Sequence, residues 1–118
     1  MKSHKDLLVW QKSMDMVTRI YSETKSWPKE ELYGLISQIR RAAVSIPSNI
    51  AEGAGRSGRK EFSRFLPIAM GSLAEVETQI EIAERLGFMT DASGLDKGLQ
   101  EIRRMIVGLN KSLESPLD

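Results

Sequence analysis

Between Phe62 and Ala83 the chain places an apolar residue at every third or fourth position: Phe62, Leu66, Ala69, Leu73, Val76, Ile80 and Ala83. Spacings that alternate three and four bring side chains onto one stripe of an α-helix, whose turn takes 3.6 residues. They cannot line one face of a strand, where the repeat is two. Three other segments carry the same pattern. The first is Leu7, Trp10, Met14, Val17 and Tyr21. The second is Leu35 or Ile36, then Ile39, Ala43, Ile46 and Ile50. The last is Leu95, Leu99, Ile102, Ile106, Leu109 and Leu113. Sustained seven-residue repeats favour helices packed at about 20° to one another. The spacing predicts helices over roughly 6–24, 31–53, 58–86 and 91–113 in a single domain spanning 1–118. Connections this short make neighbours antiparallel, so the expected fold is all-α, an antiparallel up-down-up-down four-helix bundle.

The residues between the repeats agree with those limits. Ser3 and Asp6 can cap the first helix, and Pro28 in Trp27-Pro28-Lys29-Glu30 suits a first helical turn. "GAGRSG" (Gly53–Gly58) separates the second and third helices. Leu86-Gly87-Phe88 reads as a glycine C-cap followed by an apolar residue, and Thr90 or Asp91 can cap the fourth helix. The C-terminal "ESPLD" is expected to fray. Two helices carry more apolar surface than one seam needs: Val9, Met16 and Ile20 in the first, Ile68, Ile82 and Leu86 in the third. These residues either widen the core-facing surface or form a subunit interface.

Several function classes are excluded by what the chain lacks. There is no cysteine, hence no disulfide, thiolate metal site or cysteine nucleophile, which suits a reducing cytoplasm. The lone histidine, His4, lies near the N-terminus, and no Glu-x-x-His pair exists for a di-iron bundle. Ser48, Asn49 and Glu52 resemble an acid and nucleophile cluster, but no base is at hand to activate Ser48. The expectation is a non-enzymatic protein without metal or cofactor. No segment approaches the roughly 20 apolar residues of a membrane span, and no long apolar run follows the N-terminal lysines. A cytoplasmic protein that does not engage membranes is expected.

Pro47 falls inside the second repeat. On a helical projection Gln38, Arg41, Ser45, Ser48, Asn49 and Glu52 form a polar strip in phase on both sides of it, so a kinked helix fits better than a loop. Pro67 poses the same problem in the third helix. The strip serves either as a solvated face with local pairs or as a contact surface.

With a net charge of +1, attraction for anions depends on where the charges lie. Arg40, Arg41, Arg56, Arg59, Lys60 and Arg64 fall in one stretch, opposed there by Glu52 and Glu61. Glu75, Glu77, Glu81 and Glu84 follow further along the third helix. This polarity opposes the helix macrodipole, and the positive N-terminal end would attract an anion. Gly53, Gly55 and Gly58 would let backbone approach a phosphate. The spacing is not that of a P-loop. Aromatics are not interleaved with these bases in the chain, which favours backbone or shape recognition over base stacking.

"SQIRRAAVSIPSNIAEGAGR" (Ser37–Arg56) and "EFSRFLPIAMGSLAEVETQIEIAERLGF" (Glu61–Phe88) resemble the two signature stretches of the four-helix-bundle family of 23S rRNA intervening-sequence proteins. "DLLVWQKSMDMV" (Asp6–Val17) resembles that family's N-terminal helix, and the resemblance covers roughly Asp6 to Leu113. Where the family ends its third helix in Leu-Gly-Tyr, this chain has Leu86-Gly87-Phe88. The resemblance implies a bacterial source and a homopentameric ring. It implies no established biochemical role; RNA association is suggested mainly by genetic location, some members being encoded inside insertions in 23S rRNA genes and many not. A related group assists retroelement reverse transcriptases, binding polymerase and nucleic acid through a basic pentameric barrel. Arg40, Arg41, Ser48, Asn49, Glu52 and Gly53 match the central signature, and Arg56 the basic position after it.

Two functions are therefore expected as alternatives. One is an oligomer that binds RNA or DNA backbone through Arg40, Arg41, Arg56, Arg59, Lys60 and Arg64. The other is a scaffold or accessory subunit with a protein partner, in which Ser45, Pro47, Ser48, Asn49, Glu52 and Gly53 serve oligomer packing.

Overall fold

The computed structural model describes residues 3–114. Four helices account for most of them: α1 (Leu8–Thr24), α2 (Leu35–Gly55), α3 (Arg59–Arg85) and α4 (Ser93–Glu114). Short 3-10 turns lie at His4–Asp6 and Lys29–Glu31, and no strand occurs among the described residues. Each of α1 and α3 packs on both α2 and α4, so the four helices close around one core as an all-α bundle measuring 50 × 23 × 20 Å. Side-chain contacts run antiparallel in two pairs. In α2 and α3, Ser45 meets Ser72, whereas the later Gly53 meets the earlier Phe62. In α1 and α4, Lys12 reaches Glu101 and the later Arg19 reaches the earlier Gly94 and Gly98. The fraying expected of the C-terminal tail falls on 115–118, outside the described residues; Glu114 itself belongs to α4.

The seven-residue stripe of α3 is buried throughout, as are Ile36, Ile39, Ala43, Ile46 and Ile50 of α2 and Leu95, Leu99, Ile102 and Ile106 of α4. In α1 the expected stripe is not the core. Leu7, Trp10 and Val17 are partly buried, and Met14 and Tyr21 are each 40% exposed. The buried face is the other apolar set, Val9, Met16 and Ile20, together with Ser13 and Thr24. The two faces are offset by one residue, about 100° of rotation. Ser13 and Thr24 can be buried because their hydroxyls donate to the carbonyls of Val9 at 2.7 Å and Ile20 at 2.8 Å, which leaves no unpaired donor inside. The extra apolar residues expected of the third helix do not widen the core: Ile68 and Ile82 of α3 and Leu86, just past its end, are 51%, 40% and 59% exposed.

Local chemistry sets the helix ends. Ser3 and Asp6 do form a capping box, but it closes the 3-10 turn; α1 starts after it, at Leu8, with no side-chain cap. Helix α2 begins at Leu35, not near 31, because the chain after Pro28 makes a 3-10 turn first. The Glu31 carboxylate then folds back to accept the Leu35 N–H at 3.0 Å. Trp27 is buried and its ring lies 5.9 Å from that of Phe88, closing this end of the bundle. Gly87 ends α3 at φ 80°, with the Phe88 N–H donating to the Ala83 carbonyl at 2.9 Å and the Gly87 N–H to that of Glu84 at 3.0 Å. Asp91 accepts the Ser93 N–H at 2.9 Å at the start of α4. Both α2 and α3 remain helical through their internal prolines, Pro47 buried and Pro67 exposed.

Candidate nucleic-acid interface

The turn between α2 and α3 spans only Arg56–Gly58, made possible by Gly58 at φ 90°. It gathers four of the six basic residues, Arg56, Arg59, Lys60 and Arg64, all exposed. Helix α3 starts here with no side-chain cap, so its first N–H groups add positive potential. Two carboxylates oppose it. Arg56 pairs with Glu52 at 2.8 Å and Arg64 with Glu61 at 3.5 Å. Both are solvent-exposed pairs between close neighbours in the chain, worth at most about 1 kcal/mol and readily exchanged for another anion. The Arg56 guanidinium also lies 5.1 Å from the centre of the Phe65 ring, which orients it.

Of the three glycines expected to admit a phosphate, Gly55 and Gly58 have open space where a Cβ would be. Gly53 does not. It is buried against Phe62 and Phe65, and its missing side chain serves the approach of α2 to α3.

Arg40 and Arg41 are not part of this turn. Along α2 they sit about 22–24 Å from Arg56, at 1.5 Å per residue. They also diverge from each other, since adjacent helical residues point about 100° apart. Arg40 turns back on α1, where its Nε donates to Thr24 Oγ1 at 2.9 Å and its guanidinium covers the Tyr21 ring at 4.5 Å. Arg41 is exposed and lines a groove between α2 and α3.

That groove, of about 560 Å³, runs beside the polar strip. Tyr33, Ser37, Gln38, Arg41, Glu75 and Gln79 make most of its walls, and Ser45 closes one end. Ser45 belongs to an internal network: its hydroxyl receives Ser72 Oγ at 2.7 Å and Asn49 Nδ2 at 2.9 Å. Asn49 Nδ2 also donates to the Ser45 carbonyl at 2.8 Å, a bond that spans the buried Pro47. Ser48 and Glu52 remain exposed. Gln79 is 7% exposed and its Oε1 is sealed from solvent without a donor.

Two features were missed in the sequence. Aromatic rings do accompany the arginines, Tyr21 under Arg40 and Phe65 under Arg56, but each pair joins different parts of the chain. A second group of cations, Arg19, Lys97 and Arg104, lines a cleft between α1 and α4 together with Asp96 and Glu101. Its signal was the paired Gly94 and Gly98, over which the Arg19 guanidinium lies. The glutamates of α3 divide as well: Glu77 binds Arg103 and Gln100 of α4, and Glu81 binds Arg85 at 2.9 Å. Among the described residues no three His, Asp or Glu side chains converge as a metal site, and no helix is long and apolar enough to cross a membrane.

Comparison with known proteins agrees with this fold. A solved structure from Bacteroides thetaiotaomicron, a protein of unknown function from the S23 ribosomal protein family, superposes with a TM-score of 0.62. It is 26% identical, over 90% of this chain and 94% of that one. No curated protein matches. The sequence model of the 23S rRNA-intervening sequence proteins matches residues 5–108, nearly the whole bundle. The chain therefore belongs to the 23S rRNA-intervening sequence protein family.

Proposed function

We propose that the protein is a non-enzymatic, oligomeric nucleic-acid-binding protein of the cytoplasm that grips RNA or DNA backbone at the α2–α3 turn. The observation that carries this reading is the gathering of Arg56, Arg59, Lys60 and Arg64 around an uncapped helix N-terminus, with Gly55 and Gly58 open beside them. Backbone N–H groups, a helix dipole and flexible cations in one place suit phosphate oxygens. Arg41 extends the surface along α2, whereas Arg40 supports it from behind through Thr24. In a ring the turn repeats in every subunit, and repetition raises avidity without new contacts.

The test is a gel-shift titration with a structured RNA and with duplex DNA. Four phosphate contacts predict that affinity drops roughly a hundredfold between 50 and 200 mM salt. The Arg56→Glu/Arg59→Glu/Lys60→Glu variant should lose binding with its helical circular dichroism intact. No binding by the native protein at 50 mM salt would overturn the proposal.

A second reading, a scaffold or accessory subunit, is favoured by the exposed Ile68 and Ile82 of α3, Leu86 just after it and Val44 of α2. There the polar strip packs against a neighbouring subunit or protein partner. Light scattering separates the cases: a pentamer has five times the mass of the 13.2 kDa chain. Ile68→Ser/Ile82→Ser should reduce that mass if these residues are the interface.

A further inference from the structure

The α2/α3 groove holds an unusual set of unused groups. Among the described residues the side chains of Arg41 and Glu75 have no hydrogen-bond or ion-pair partner, although they have opposite charge and share one groove. At the base Gln79 is 93% buried with its Oε1 unpaired. At the rim the Tyr33 ring is 93% exposed, the most exposed large apolar side chain of the protein's described residues. A buried orphan acceptor calls for an explanation, because nearly all such atoms are paired in folded proteins. The volume of about 560 Å³ falls within the range of roughly 300–1,000 Å³ typical of small-ligand sites.

The chemistry of a fitting ligand can be read from these groups. A carboxylate is an acceptor only, and it is best matched by two adjacent donors. The Gln79 amide, on a soft terminal torsion, can turn its oxygen to a further donor. Tyr33 offers a face for a flat ring, and Arg41 a cation for a phosphate. We propose that this groove takes up one unpaired guanine of a single-stranded or looped nucleic acid. Guanine presents N1–H and N2–H side by side to Glu75, with the second N2 proton toward Gln79. Its ring stacks on Tyr33 and its phosphate meets Arg41. The other bases place an acceptor where guanine has one of those donors, so the carboxylate repels them. Unpaired bases in RNA are generally read in this way, by stacking plus contacts to the Watson–Crick edge. The inference rests on the nucleic-acid reading above and adds to it a base preference. The polar strip leads from this groove toward the cationic turn, where the flanking backbone would lie.

The experiment is fluorescence anisotropy with the full chain and labelled RNA octamers, all uridine or uridine with one central guanosine, at 150 mM salt. The guanosine octamer should bind about tenfold tighter, the worth of one good two-bond base contact. Glu75→Gln and Tyr33→Ala, both at exposed positions, should erase the difference while leaving the weaker, salt-sensitive binding common to both octamers. Equal affinity for the two octamers overturns this inference and leaves backbone binding at the turn standing. A preference untouched by Glu75→Gln overturns it too. Binding of neither octamer nor of structured RNA at 50 mM salt overturns both readings. Variants that leave RNA affinities unchanged but dissociate the oligomer in light scattering assign the groove to a second copy of the chain and overturn the inference.

Discussion

Gly53 of α2 lies so close to α3 that a Cβ at this position would stand 2.8 Å from Phe62 Cδ1 and 3.0 Å from Phe65 Cβ. The contact holds the two helices together just before the basic turn. Gly53→Ala must push them apart, and overpacking of this kind costs about 1–3 kcal/mol. Gly55→Ala, two residues on and with open space around it, should be neutral or slightly stabilising, by up to about 1 kcal/mol. Urea unfolding of the two variants checks the contrast.

Arg40 and Arg41 should behave oppositely in spite of their adjacency. Arg40→Ala removes a hydrogen bond to Thr24 and a ring contact with Tyr21, so it should cost about 1–2 kcal/mol of stability. Arg41→Ala removes no internal partner and should stay within about 0.5 kcal/mol of the native protein. Thermal unfolding measures the first effect, and RNA titration measures whether the second weakens binding.

Gly87 occupies the left-handed region at φ 80°, where an L side chain costs roughly 1–2 kcal/mol. Gly87→Ala should lower the melting temperature accordingly. Gly87→Asn should do so by less, since asparagine tolerates this conformation. Loosening this cap also loosens the Trp27–Phe88 contact, and tryptophan fluorescence reports it.

The hydrogen bonds from Ser93, backbone first and then side chain, hold the Asp91 carboxyl below the ordinary value of 3.8. A folded-state value below the unfolded one stabilises the fold at higher pH. The contribution is complete above the ordinary carboxylate range and is lost as pH falls from 3.8 through the folded value. Asp91→Ala should therefore melt below the native protein at pH 7, and the gap should close in acid. Melting curves at stepped pH values test the sign.

The apolar period alone determined that the chain forms four helices and which residues of α2, α3 and α4 enter the core. Its range is local: 3.6 residues per turn decides which side chains share a face whatever the neighbours are. The Leu86-Gly87-Phe88 cap was legible for the same reason, because its hydrogen bonds close within one turn. Tertiary structure decided what depends on where a face points. Helix α1 has two apolar faces one residue apart, and packing chose Val9, Met16 and Ile20 because Ser13 and Thr24 could satisfy their hydroxyls on the same side. Six basic residues close in sequence became one exposed turn, one buttress on α1 and one groove wall, since a helix spreads its residues through space at 1.5 Å and 100° each. Tyr33, Glu75 and Gln79 had no signal linking them in the sequence. They share a groove with Arg41 because α2 and α3 run antiparallel, a relationship fixed by packing across the bundle and carried by no local period.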